Sequence, residues 1–328
     1  MSELSGLPPA LRPAVDAVGS DSVAPLIGTI GGRLAQPTRH GGSGRAVDDV
    51  VRSVLEVAAV DASLGWLAAA FNSAVHRVAE SAPSIGDDIW SAHPDALIVT
   101  CAGGRGNLSL SGRLTGRWDA VVGATLADWL LLSIDDPHDG LPCHALIPRA
   151  AAHVEPEALL GGLDWAGVGR VIVSDVGSWA GVAPQHVVGG VHARTAPLDG
   201  AATAAAVIGS AAGVWQGHVD QVRVRLTTAQ GKDEVTDAAA VQVAWSASDI
   251  DAAKLQVITS VQNPYDETDA LRAQRQSVAR ARAAADRLLG NSRHALDASD
   301  PVTRRWCDVQ AGYRLALGSL MRRPQHPR

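Results

Sequence analysis

The side chains able to do chemistry are scattered along this chain of 328 residues. Asp135, Asp136, His138 and Asp139 come closest to a metal-ligating set. Their setting, Asp-Asp-Pro-His-Asp-Gly, is a turn sequence, because Asp, Pro and Gly each have a conformational reason to sit in a turn. No metal site is expected. His76 and His93 could each exchange a proton near neutral pH, or serve as surface or hydrogen-bonded structural residues. Aromatic usage is skewed to nine Trp against two Tyr and one Phe. Each indole is either a core anchor or a stacking surface for a planar ligand. Cys101, Cys143 and Cys307 form an odd, widely spaced set without a Cys-x-x-Cys pair, which suits buried thiols in a reducing cytoplasm. No complete GxSxG, P-loop or GxGxxG element occurs, so hydrolase, NTPase and Rossmann chemistry lack support.

The elements that must position these residues fall in three stretches. Pro8, Pro9 and Pro13, then Gly41 to Gly44, mark a loose arm and a loop. From Asp48 to about Ala79, apolar residues including Val51, Val54, Leu55, Leu64, Leu67 and Phe71 recur near helical spacing, with Gly65 as the weak point between two helices. Near Ile98 the period shortens to two. Val99, Leu108 and Leu110, the turn Ser111-Gly112, and then Leu114 and Trp118 suit strand, turn, strand. Further strand-like runs span 129–134, 143–147, 168–176 and 186–191. Helical patterns return over 202–226, 233–262, 267–289 and 302–321, with stops at Asn263-Pro264 and Gly290-Asn291. The expected organisation is mainly α with a β middle domain: N-terminal helices in 1–96, a small β-barrel in 97–199 and a C-terminal four-helix bundle in 200–328.

Composition excludes several roles. The net charge is -6, and Lys232 and Lys254 are the only lysines, so no basic surface for nucleic acid is expected. The most apolar stretch, Ala201 to Trp215, is shorter than the roughly 20 residues a spanning helix needs, and the N-terminus lacks a signal-peptide pattern. The basic tail from Arg322 to Arg328 reads as disordered.

In order and in detail these segments resemble the acyl-CoA dehydrogenase superfamily, and within it the two-component flavin-dependent monooxygenases. Asp61-Ala-Ser-Leu-Gly-Trp66 resembles an acidic-Gly-Ser-x-x-Trp helix, and Trp90 with Pro94-Asp95-Ala96 resembles a Trp-x-x-x-Pro-Asp-Ala entry to the barrel. Gly112 to Trp118, then Gly123 and Ala127-Asp128-Trp129, are similar to the elements facing the isoalloxazine ring. Arg304-Arg305-Trp306-Cys307-Asp308 is similar to the Arg-x-Trp-Arg-Asp signature of the last helix. The resemblance covers about residues 46 to 321.

It implies an acyl-CoA dehydrogenase-like fold and an oxygenase that takes reduced flavin, FMN with FAD as the other possibility, from a separate flavin reductase. A small organic substrate and a homo-oligomer, dimer or tetramer, are implied as well. Thr115, Trp118, Gly123 and Trp129 would face the flavin, with Trp118 and Trp129 as its wall or else as barrel core. Arg225, with Arg223 as competitor, matches an arginine that resembles a flavin-phosphate ligand, a task suited to a permanently charged fork. His76, ten residues after Trp66, and Tyr313 on the final helix are the candidate catalytic residues.

The pattern is broken where the chemistry lies. A serine that would hydrogen-bond the flavin is replaced by Val122. The two last-helix positions where such monooxygenases carry histidines are Gly312 and Leu315, and the position of the dehydrogenases' glutamate is Ala316. This loss of bases motivates two rival expectations: a catalytically silent subunit completing a hetero-oligomer, or an acyl-CoA dehydrogenase with a relocated base.

Overall fold

In a computed structural model, residues 31–135, 140, 142–159, 161–177, 187–188, 197–228, 235–262, 267–292 and 297–320 are described. The expected N-terminal arm, the 136–139 turn, the Asn263-Pro264 stop and the basic tail lie outside them.

Three helices open the described chain: α1 (Val47–Val60), α2 (Ala62–Ser81) and α3 (Pro83–Ala92). The break expected at Gly65 falls four residues earlier. Asp61 is extended and its carboxylate accepts the Leu64 N–H, so it ends α1 and caps α2. Gly65 lies inside α2 because a Cβ there would sit 2.2 Å from that of Ala58 on α1; the glycine serves helix contact, not a break. Helix α3, not anticipated, starts on Pro83, where the missing N–H costs nothing.

The middle segment is one curled seven-stranded sheet built from β1 (Ile98–Leu108), β2 (Leu114–Val121), β3 (Trp129–Asp135), β4 (Pro142–Pro148), β5 (His153–Pro156), β6 (Gly169–Val176) and β7 (Val187–Val188). The order is β5-β6-β2-β1-β3-β4-β7, with β1 and β3 parallel and the other pairs antiparallel. Alternation along β3 divides two cores. Leu130, Leu132 and Ile134 point into the sheet's interior with Trp118, while Trp129 and Leu131 pack toward Trp90 and the N-terminal helices.

Four long helices follow: α4 (Pro197–Thr228), α5 (Asp237–Gln262), α6 (Glu267–Gly290) and α7 (Pro301–Leu320). Helix α4 is the axis of the bundle, in contact with α1, α2, α5, α6 and α7. Its alanines, from Ala201 to Ala211, are fully buried, and small side chains let five neighbours approach one rod. By length and composition Leu198–Thr228 could cross a membrane, but 72% of its most apolar window is buried in the fold; it is a core helix. Arg77 on α2 pairs with Asp199 at the start of α4, tying the N-terminal helices to the bundle.

Candidate functional site

The structure separates the two tryptophans expected to form one wall. Trp118 is 0% exposed. Its ring lies over Gly106 and Gly116, where an added Cβ would come within 2.7 and 2.4 Å of it, and its Nε1–H donates to the Ser133 carbonyl at 3.1 Å. Every part of that indole is engaged in the sheet interior, so Trp118 is core, the alternative its sequence left open. Trp129 is half-buried on the opposite face of the sheet. Thr115 is exposed, three positions before Trp118 and therefore on the other face of β2.

Gly123, expected to face the flavin, occupies a turn. Its φ is +77°, its N–H donates to the Ala166 carbonyl at 2.9 Å, and a Cβ would meet Val99, Phe71 and Leu67. Ala120 just before it also has positive φ, 53°, and its N–H donates to Glu157 Oε2 at 3.0 Å. Ala120 and Val122 pack against the helical core, and Val122 touches the sheet core too, so this turn is the seam between sheet and helices. Beside it, residues 156–159, 163–165 and 167–168 with Thr125-Leu126 line a cleft of about 440 Å³.

Across the seam stand α2 and α7. Trp66 on α2 is 5% exposed, and its Nε1–H is buried without an acceptor. This nitrogen lies 2.7 Å from where a Cβ would stand on Gly312. The indole thus fills the space a side chain at 312 would use. Tyr313, one residue on, faces α6, with the Arg282 guanidinium 4.4 Å above its ring. His76 is half-buried on α2, about 15 Å along the axis from Trp66. The structure does not bring His76 and Tyr313 together with Trp66. His93 is exposed at the end of α3.

One turn before Gly312 lies a pair that sequence reasoning missed. Asp308 accepts the Leu163 N–H at 2.7 Å, and Asp61 is its electrostatic neighbour. Burial pushes the Asp61 carboxyl up to about 6 against the opposing pull of the Leu64 N–H and Arg305. Burial likewise raises Asp308 to about 6, opposed first by the Leu163 N–H, with Asp61 and Asp164 adding to the rise and Arg305 opposing it. Only the three-dimensional approach of α2 to α7 reveals these neighbours, since 244 positions separate Asp61 from Arg305 and 247 separate it from Asp308.

Arg225 is half-buried on the last turns of α4, while Arg223 is exposed and pairs with Asp220 at 3.3 Å. Two turns earlier, buried His218 feels Arg225. Burial and that positive charge hold its imidazole below the ordinary range, while Asp300 pulls the other way. Among the described residues no group of three His, Cys, Asp or Glu is placed to hold a metal.

Helices flanking a sheet, a central bundle and a seam between them define the acyl-CoA dehydrogenase-like fold, and within it the chain resembles the two-component flavin-dependent monooxygenases. Over 95% of this chain and 92% of the relative it is 28% identical to the flavin-dependent monooxygenase, oxygenase subunit HsaA, of Rhodococcus jostii. It is 24% identical to the FADH2-dependent resorcinol hydroxylase, oxygenase component, of a Rhizobium, over 85% and 79% of the two chains. Among solved structures it is similar to the 3-HSA hydroxylase from Rhodococcus sp. RHA1, with TM-score 0.77, 26% identity and 95% and 91% coverage. The butyryl-CoA dehydrogenase of Megasphaera elsdenii shares the fold alone, with TM-score 0.72 at 14% identity over 92% and 89% of the chains. No protein-family model matches the chain.

Proposed function

We propose that the chain is the oxygenase component of a flavin-dependent monooxygenase that receives reduced flavin from a separate reductase. The observation that carries this reading is similarity to a named oxygenase component sustained over 95% of the chain. The residues there fit a flavin. Val122 and Ala120 present apolar surface, and the orphaned Trp66 Nε1–H is a polar atom suited to a bound partner. When bound, reduced flavin would supply the oxygen-activating chemistry. The chain's own residues would exclude water along the seam, orient the ring against the Gly123 turn, and hold a small organic substrate near α2 and α7.

The finer assignments belong to the same proposal. FMN is the favoured flavin and FAD the alternative. Thr115, Gly123 and Trp129 serve the ring side, Trp118 acts by supporting the barrel, and Arg225 meets the flavin phosphate. The three-part division at 97 and 200 sets these groups between sheet and bundle, in a cytoplasmic homo-oligomer. His76 and Tyr313 are proposed as substrate-side groups acting from the margins of the site. Purified protein mixed with a flavin reductase, NADH and oxygen should convert aromatic hydroxy compounds to oxygenated products. Oxygen use without reduced flavin, or none with it, would refute the reading.

A second reading has its own observation: the Trp66 indole seated on Gly312 closes the usual place of a base, as in a catalytically silent subunit. Co-purification with a related, active subunit would favour it.

A further inference from the structure

The cleft beside the Gly123 turn has walls that are tied in place from several sides. On one side the Leu163 N–H donates to Asp308 on α7 at 2.7 Å, and a Cβ on Gly162 would stand 2.7 Å from the Cys307 carbonyl oxygen. Leu163 is 3% exposed and holds a positive φ of 58°, a conformation a leucine keeps only where its surroundings fix it. On the other side the Thr125 N–H donates to the Gly167 carbonyl at 3.2 Å and the Glu157 N–H to the Val168 carbonyl at 2.9 Å. The Glu157 side chain is fixed as well, since its Oε2 accepts the Ala120 N–H at 3.0 Å. A volume of about 440 Å³ lies within the range of preformed pockets that hold small molecules.

The lining carries charge of one sign. Leu126, Leu163 and Val168 give apolar surface and Trp165 an aromatic side chain, Glu157 and Asp164 bring two carboxylates, and no Lys, Arg or His takes part. Arg170 is within electrostatic reach of Glu157, but its guanidinium is forked onto Asp119 at 2.6 Å and Glu155 at 3.3 Å. The cleft therefore combines apolar surface with negative charge. A lining of this kind repels a carboxylate or a phosphate and draws in an ammonium group.

We propose that this cleft is the substrate pocket and that Glu157 and Asp164 make it selective for small ring compounds carrying a basic amine over the corresponding acids. That the ligand is a substrate rests on the monooxygenase reading; that the cleft binds amines does not. Thr125 and Leu126 follow closely on Gly123, so a molecule in the cleft lies beside the turn against which the flavin ring is proposed to rest. The flavin phosphate, an anion, has no place in the cleft itself.

Three phenols of similar shape and different charge test this: tyramine, tyrosol and 4-hydroxyphenylacetate, titrated calorimetrically into the full chain without flavin at low salt. Tyramine should bind about tenfold more tightly than 4-hydroxyphenylacetate, the worth of one charge-assisted contact, with tyrosol between them. Glu157→Gln keeps an oxygen for the Ala120 N–H, and Asp164 is exposed, so neither Glu157→Gln nor Asp164→Asn disturbs the fold. Each should weaken tyramine by roughly threefold and leave tyrosol unchanged, a split that structural damage would not produce. Ala158 lines the cleft and is exposed; Ala158→Trp should fill the space and abolish binding of all three at unchanged Tm. Equal affinity for tyramine and 4-hydroxyphenylacetate would overturn the proposal, as would tyramine binding unaffected by Ala158→Trp, or no binding of any of the three at millimolar concentration. Tyramine that binds with this selectivity but is not oxygenated when reduced flavin and oxygen are supplied would keep the pocket and count against the monooxygenase reading.

Discussion

Gly312 is the residue at which the site departs most from its relatives' expected chemistry. Restoring an imidazole by Gly312→His should fail, because the new Cβ would stand 2.7 Å from Trp66 Nε1. The expected outcome is overpacking that costs about 1–3 kcal/mol, read as a lower Tm, with no gain in turnover. Asp308 yields a prediction of unusual sign. Its carboxyl is raised in the folded state, so the native protein binds more protons than the unfolded chain between about pH 4 and 6. The contribution of this group is therefore fully present below its unfolded value and declines as pH rises through 6. Asp308→Asn should gain in Tm relative to the parent as pH goes from 5 to 8, by about 2 °C; a difference independent of pH would contradict it. The turn at Gly123 was not read from the sequence, where that glycine entered only through the resemblance of the Gly-x-x-x-Ala-Asp-Trp run to a flavin-facing element. Trp66, Asp61 and Asp308 were present in quoted motifs, but their mutual burial was not, because local spacing carries no information about the meeting of α2 with α7.

At the scale of elements, the order of helices, strands and bundle could be read from the change of hydrophobic period, and β1 begins at Ile98 and α4 at Pro197. What escaped had physical reasons. Helix α3 is short and lies in a segment read only as a barrel entry. β5 has just four residues, too few to show alternation. Trp118 and Trp129 were assigned to one wall because strand pattern gives the face of a residue only relative to its own strand. The junction of α2 with α4 also makes a prediction. The Arg77–Asp199 pair is largely shielded from solvent, so Arg77→Met should leave Asp199 uncompensated and cost about 3 kcal/mol. Adding Asp199→Leu should recover most of the loss in denaturant unfolding; equal stability of single and double variants would show that the pair contributes by packing alone.

At the scale of the whole molecule, several large apolar side chains are exposed among the described residues. Val224 and Leu226 on α4, with Val241, Trp245 and Leu255 on α5, are exposed, Trp245 by 58% and Leu255 by 68%. Large exposed apolar side chains on adjoining helices mark a contact surface, in keeping with the proposed homo-oligomer. Trp245→Glu should shift the protein to a smaller species in light scattering after size exclusion, and an unchanged mass would place the subunit contact elsewhere. The chain as a whole is read as a reduced-flavin oxygenase, and anaerobic titration with reduced FMN and reduced FAD, followed by admission of oxygen, tests that most directly. The account predicts saturable binding of reduced flavin at micromolar or lower concentration and product hydroxylation when oxygen enters. A protein that binds neither flavin in either redox state would contradict it.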